Sequence, residues 1–233
     1  MKIIISPAKK MKKKEFIGTA TTPIFSKNAQ TIANKIKKYD LEELQKAFKC
    51  SSKIAKEVYN YYHDFNSDLH PALYRYDGLQ YMNIDVLSLS EAERNFLNKN
   101  LLIADALYGL LKPTDLISQY RLDYNSKFDF VKPDFYKKKI KKVLTEPYIN
   151  LCSNEYSAIL PEGLAINIIF IQNLKGVSKS YSTNTKIARG KFVKYLANEQ
   201  NTSIDVLTSF KEEGYVFDEA TSDESNIIYY KVI

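Results

Sequence analysis

Apolar residues fall along the chain in two rhythms, and each predicts an element. Residues 2–5 (Lys-Ile-Ile-Ile) make a short apolar run halted at Pro7, which predicts a first strand. Residues 11–22 are basic, then Thr-rich, with no apolar period, and predict a loop. From Ser26 to about Phe65, Ile32, Ile36, Leu44, Phe48, Ile54 and Val58 keep helical spacing; two or three helices are expected, broken near Asp40 and at Cys50-Ser51-Ser52. Residues 72–85 are aromatic with a single glycine, Gly78, and predict irregular chain or a short strand. Ser90-Glu91-Ala92-Glu93 has the capping-box pattern, which predicts a helix from Glu91 through Leu107 that stops at Gly109. Pro113 suits the first turn of a following short helix over 114–120. A basic helix is expected at 135–144.

The last third changes character. Residues 148–152, 164–174 and 177–181 are β-like, and the middle run is almost continuously apolar, as in a buried strand. Helices are expected at 185–198 and 204–212, then two hairpin strands at 215–217 and 227–232. No repeat and no Pro/Gly-rich linker divides the chain. These elements predict one α+β domain over residues 1–233, a central sheet flanked by helices, whose first strand joins the C-terminal sheet.

Composition then narrows the function classes. With 45% hydrophobic and 26% charged residues, the 233-residue chain is an ordinary globular one, which excludes disorder. No apolar run approaches the roughly 20 residues a membrane helix needs, and the run after Met1 is too short for a signal segment. Cys50 and Cys152 are far apart with no CxxC pair, so neither a disulfide framework nor a metal site is expected, and a cytoplasmic location is. No cofactor is expected either. The formal charge of +7 invites an anionic partner. Yet only four of the 34 basic residues are arginine, in a chain with 18 Tyr and no Trp, which also fits compositional drift. Where lysine is the default, each retained arginine marks a candidate for a planar, bidentate contact.

Five segments could carry chemistry. Ser6-Pro7-Ala8-Lys9-Lys10 follows the first strand and offers a hydroxyl, amides and two ammonium groups to an anion, or is simply a solvated basic loop. Gly109-Leu110-Leu111-Lys112-Pro113, read as a turn between two helices, would hold a phosphate with Lys112 and Arg121 adding charge. Asn150 to Tyr156 ends a buried strand with a polar cluster, in which Ser153 and Glu155 suit binding or proton transfer; the plainer role is a helix cap with its first-turn acid. Cys152 has no histidine near it in sequence, which argues against a nucleophilic thiol. In the helix at 185–198, Lys186, Arg189 and Val193 share a stripe, and Gly190 implies close approach by a ligand or another backbone. Gly214 to Glu219 leads to Asp218 in what is otherwise a plain hairpin.

In combination these motifs resemble the YaaA family of bacterial peroxide stress proteins. The resemblance rests on Ile5-Ser6-Pro7-Ala8-Lys9, on Leu107-Tyr108-Gly109-Leu110-Leu111-Lys112-Pro113 with Tyr120-Arg121-Leu122, and on Asn150-Leu151 with Ser153 and Glu155-Tyr156. Ala188-Arg189-Gly190 after Lys186, and Gly214-Tyr215 with Phe217-Asp218, complete it in family order. Leu79 and Asn83 replace an expected acid and glycine, leaving Asp77 as the nearest substitute acid, and Lys112 stands where relatives often carry arginine. The resemblance implies a mixed α+β fold with a basic cleft and a helix–hairpin–helix-like element. It further implies DNA binding and protection of DNA during hydrogen peroxide stress with lower free iron. The expected partner is double-stranded DNA, held through its phosphates by Gly109, Lys112, Ser6, Lys9, Arg121, Lys186, Arg189 and Lys194. The protein is expected to be a monomer with no membrane partner. The rival expectation is an enzyme acting on a small nucleotide-like ligand or damaged base, with Glu155 or Asp218 as acid/base and Ser153 beside them.

Overall fold

In the computed structural model, which describes residues 1–174 and 177–232, one eight-stranded sheet forms the centre of the molecule. The first half of the chain contributes β1 (Lys2–Ile5), α1 (Ser26–Ile36), α2 (Leu41–Phe48), α3 (Ser52–His63), β2 (His70–Pro71), α4 (Ala72–Arg75), α5 (Leu79–Ile84) and α6 (Glu91–Asn100). Then come β3 (Leu101–Asp105), β4 (Gly109–Leu111), β5 (Leu116–Ile117), α7 (Pro133–Ile140), β6 (Tyr148–Leu151) and α8 (Asn154–Ser157). The last third supplies β7 (Ala165–Leu174), β8 (Val177–Lys179), α9 (Ser182–Glu199), α10 (Ile204–Thr208), β9 (Val216–Phe217) and β10 (Asn226–Val232).

The sheet runs β4-β3-β1-β6-β7-β10-β9, with β8 pairing the end of β7. β1 lies between β3 and β6 and parallel to both, Ile3 opposite Leu101 on one side and Ile149 on the other. That position explains its Ile-Ile-Ile run: a parallel strand covered on both faces needs apolar side chains at every position, and all three isoleucines are fully buried. The helical breaks foreseen in the first third are present. Asp40 caps α2 through a complete capping box, and Ser51 caps α3 by accepting from the Ile54 N–H.

Three expectations fail. Residues 72–85 form two short helices, α4 and α5, in place of irregular chain or a strand. The capping box at Ser90 and Glu93 does start α6, but the helix stops at Asn100, and the apolar run after it becomes β3 beside β1. Gly109 therefore opens strand β4 of a β-hairpin and ends no helix. Residues 114–120 form no helix; residues 116–117 pair with 70–71 as a two-stranded ribbon. The helix–hairpin–helix element is thus corrected to a β-hairpin, and Asp105 supplies the reason. Its carboxylate, fully buried, accepts the N–H groups of Leu107 at 2.8 Å and Tyr108 at 2.7 Å, which bends the chain back immediately after β3. Gly109 sits at φ +72°, and a Cβ there would lie 2.6 Å from Cε1 of Tyr136.

Candidate functional site

Because β1 and β6 are parallel neighbours, the loops that leave their C-terminal ends lie side by side, the usual place for a site in such sheets. Ser6 leaves β1, and its Oγ accepts the Ser153 N–H at 2.9 Å and lies 3.4 Å from the Ser153 hydroxyl. Ser153 occupies the N-cap position of α8 without making a side-chain cap bond, so its hydroxyl faces Ser6 instead of serving the helix. Tyr81 of α5 donates to the Ser6 carbonyl at 2.9 Å and ties that loop to the helical layer. Asn150 is fully committed to positioning. It donates to Ser157 at 3.1 Å and to Asn167 at 2.8 Å, and it accepts the Cys152 N–H at 3.0 Å.

Cys152 is buried between these groups, and burial pushes its thiol up to about 12, against the opposing pull of Arg189 and a hydrogen bond with Ser6. It is a packed thiol and not a nucleophile. Arg189 reaches this region from α9. Burial lowers its pKa, and its Nε is buried with no hydrogen-bond partner among the described residues. Thr185 Oγ1, one helical turn earlier, is in the same condition, as is Nε2 of Gln80, whose backbone carbonyl packs on Gly190. The close approach inferred for Gly190 is therefore made by the backbone of α5.

A second group adjoins the first. Glu155 accepts the Tyr124 N–H at 2.9 Å. Burial, and after it the charge of Asp123, raises the Glu155 carboxyl above its ordinary value, with the Tyr124 N–H and Lys9 offsetting part of the shift. Burial acts on Asp123 in the same sense. There the Lys9 ammonium at 2.7 Å, together with Ser126 and the Asn125 N–H, outweighs burial and holds the carboxyl below its usual range. Two carboxylates with opposite shifts thus sit close to Lys9, a pairing that separates acid from base.

Lys9 also stands between two hollows. One, of about 270 Å³, is lined by Lys10 and Arg121 with Glu57 at α3. The other, of about 380 Å³, is lined by Lys49, Lys127 and Lys132 with Asp123 and Asp129. Six cationic side chains face three carboxylates across the pair. Lys10 is held by Asp77 at 2.9 Å, so Asp77 acts as a clamp on the basic loop. A larger hollow, about 800 Å³, is bounded by Phe16, Leu87 and Arg94 and contains none of these groups.

Ser6, Lys9, Ser153, Glu155 and Arg189 are therefore gathered at the C-terminal ends of β1 and β6, while other expected residues lie elsewhere. Lys112 is exposed at the turn after β4, where its N–H is taken by Asp115 at 2.8 Å. Gly109 packs on Tyr136. Lys194 bridges α9 to Asp85 at 3.2 Å and Ser88 at 2.7 Å, and Lys186 is exposed on α9. Asp218 accepts from Thr221 at 2.6 Å beside the β9–β10 connection. Asp123, Tyr124, Gln80 and Thr185 escaped the sequence reading. Only the Asp123-Tyr124-Asn125-Ser126 stretch carried a local signal, a string of turn-forming residues.

Among the described residues no helix is long and apolar enough to cross a membrane, and no three His, Cys, Asp or Glu are gathered as metal ligands. A family model described as peroxide stress protein YaaA matches residues 1–221. A UPF0246 protein of Finegoldia magna is 34% identical, covering 99% of this chain and 98% of the relative. One from Clostridioides difficile is 32% identical over 99% of this chain and 100% of its own length. A third, from Francisella tularensis, is 33% identical over 98% and 99%.

Proposed function

This chain belongs to the peroxide stress protein YaaA family, and from that premise we propose that it serves the oxidative stress response by gripping duplex DNA through its phosphates, without strong sequence preference, and so limits iron-linked DNA damage. The observation that carries the reading is the pair of hollows meeting at Lys9. Lys49, Lys127 and Lys132 line the larger of them and enter no ion pair among the described residues, so each is free to meet a phosphate. The grip moves from the Gly109–Lys112 turn, whose amide is spent on Asp115, to this groove. Neutralising three phosphates gives a log–log salt slope of about −2.7. Fluorescence anisotropy on a labelled duplex across a salt series tests it: Lys127→Glu with Lys132→Glu should weaken binding and flatten the slope. Absence of duplex binding at low salt, or binding indifferent to salt, rejects the reading.

The Glu155 carboxyl supports a second reading, an enzyme acting on a nucleotide-like ligand. A carboxyl raised by burial beside an ionised Asp123 is suited to hand over a proton, and the unpartnered Arg189 Nε to clamp the ligand. Ser6 and Ser153 supply hydroxyls. Product analysis with nucleosides and damaged duplexes, wild type beside Glu155→Gln, decides it: turnover that survives the substitution, or none at all, removes this reading.

A further inference from the structure

The smaller hollow beside Lys9 has a chemistry that phosphate gripping does not explain. An anion pocket should be lined by unopposed cations, yet here Lys9 and Lys10 are already paired with Asp123 and Asp77. What remains is one cation and one anion, Arg121 and Glu57, neither in an ion pair among the described residues. The Arg121 Nε is buried and without a hydrogen-bond partner there. The same hollow is lined by the Tyr61 phenol, which burial raises and which feels the charges of both Glu57 and Arg121, and by Ile54, Val58 and Met11.

A carboxylate, a guanidinium, a phenol and aliphatic walls lining one hollow match a planar heterocycle with donors on one edge and acceptors on the next. Guanine has that arrangement. Its N1–H and exocyclic amino group donate to a carboxylate, while O6 and N7 accept from an arginine. Adenine offers the arginine only N7 as acceptor and brings an amino donor beside it, and the pyrimidines have no N7. At about 270 Å³ the hollow is just below the roughly 300–1,000 Å³ of ordinary ligand sites, a size for one base with its sugar and phosphate outside. Lys9 and Lys10 line the same hollow, and Lys9 also lines the larger basic one.

We infer that the hollow between α3 and residues 119–121 is a base-reading pocket for an unpaired guanine, with Glu57 taking the Watson–Crick donors, Arg121 the O6/N7 acceptors and Tyr61 one ring face. The inference deepens the DNA reading and rests on it for the source of the base: a strand lying on the lysines delivers an unpaired or extruded guanine into the slot.

Two measurements separate the pocket from the groove. Calorimetry with the four deoxynucleoside monophosphates should show dGMP bound about tenfold or more tighter than the other three, the discrimination one bidentate pair supplies. Glu57→Gln and Arg121→Lys should each erase that preference, and unchanged thermal melting keeps a folding defect from imitating the result. Anisotropy with duplexes carrying a single bulged dG, dA, dC or dT should rank dG first, and Glu57→Gln should abolish that ranking. Duplex binding without any preference among the monophosphates overturns the pocket alone. Selective dGMP binding that Glu57→Gln erases, without duplex binding, upholds the pocket and overturns the groove.

Discussion

Replacing Gly190 by alanine sets two physical effects against each other, and the structure decides the sign. In an exposed helix interior the change gains about 1 kcal/mol, since glycine surrenders more backbone freedom on folding. Gly190 lies mid-way along the 18-residue α9, so propensity alone predicts stabilisation. Its surroundings predict the reverse. A Cβ there would stand 2.7 Å from Cβ of Asn83 and 3.1 Å from the carbonyl carbon of Gln80, closer still to that carbonyl's oxygen. The obstacle is largely backbone of α5, which cannot rotate away as a side-chain tip would. Overpacking of this kind costs about 1–3 kcal/mol, and rigid backbone places it at the upper end, leaving a net loss of about 2 kcal/mol. For a chain of this size that lowers Tm by about 4–8 °C. Differential scanning calorimetry measures it, with Lys186→Ala on the same helix, an exposed position, as the control. Displacing α5 should also loosen Tyr81 from the Ser6 carbonyl and unsettle the strand-end site. A Tm equal to or above wild type would refute the close-approach argument and leave propensity as the governing effect.

Other consequences are open to direct measurement. Asp105→Ala strips a buried acceptor from the Leu107 and Tyr108 amides and from the hydroxyls of Tyr76 and Tyr120, so urea unfolding should show a loss of at least about 3 kcal/mol; a loss below about 1 would mean the hairpin turn does not depend on it. Asp123 has a folded-state pKa below its unfolded one, so its ionised form stabilises the protein. That contribution is complete above the unfolded value of about 3.9 and disappears as pH falls through the folded value. Wild type should therefore exceed Asp123→Asn in stability at pH 7 and converge with it in strong acid; a gap that widens on acidification contradicts the Lys9 assignment. Cys152, buried with its thiol raised to about 12, should stay unmodified by iodoacetamide at pH 8 while the protein is folded and react once it is unfolded, as read by mass spectrometry. Rapid labelling in the folded state would place the thiol outside the packed strand end.

What the sequence determined by itself was local. The Ile3-Ile4-Ile5 run implied a strand and was one, and its burial follows because covering both faces of a parallel strand leaves no polar position. Ser90 marked a helix start correctly, and the breaks read near Asp40 and at Cys50-Ser51-Ser52 fall where Asp40 and Ser51 cap helices, since a cap is a contact between residues three apart. The stretch from Leu101 to Leu111 shows where that reasoning ends. A short apolar run suits a strand or a buried helix equally, and the choice fell to the open edge of β1, which only the assembled sheet offers. The candidate site divides in the same way. Ser6, Lys9, Ser153, Glu155 and Arg189 could each be picked out by chemistry and by position at an element's end. Their meeting could not: Ser6 and Ser153 are 147 residues apart and touch because β1 and β6 are hydrogen-bonded neighbours. Asp218 and Lys194 carry equally suitable groups and are occupied elsewhere, and Lys112 is exposed at the turn after β4. Residue type sets what a side chain can do, whereas long-range packing, which leaves almost no trace in neighbouring letters, sets what it faces.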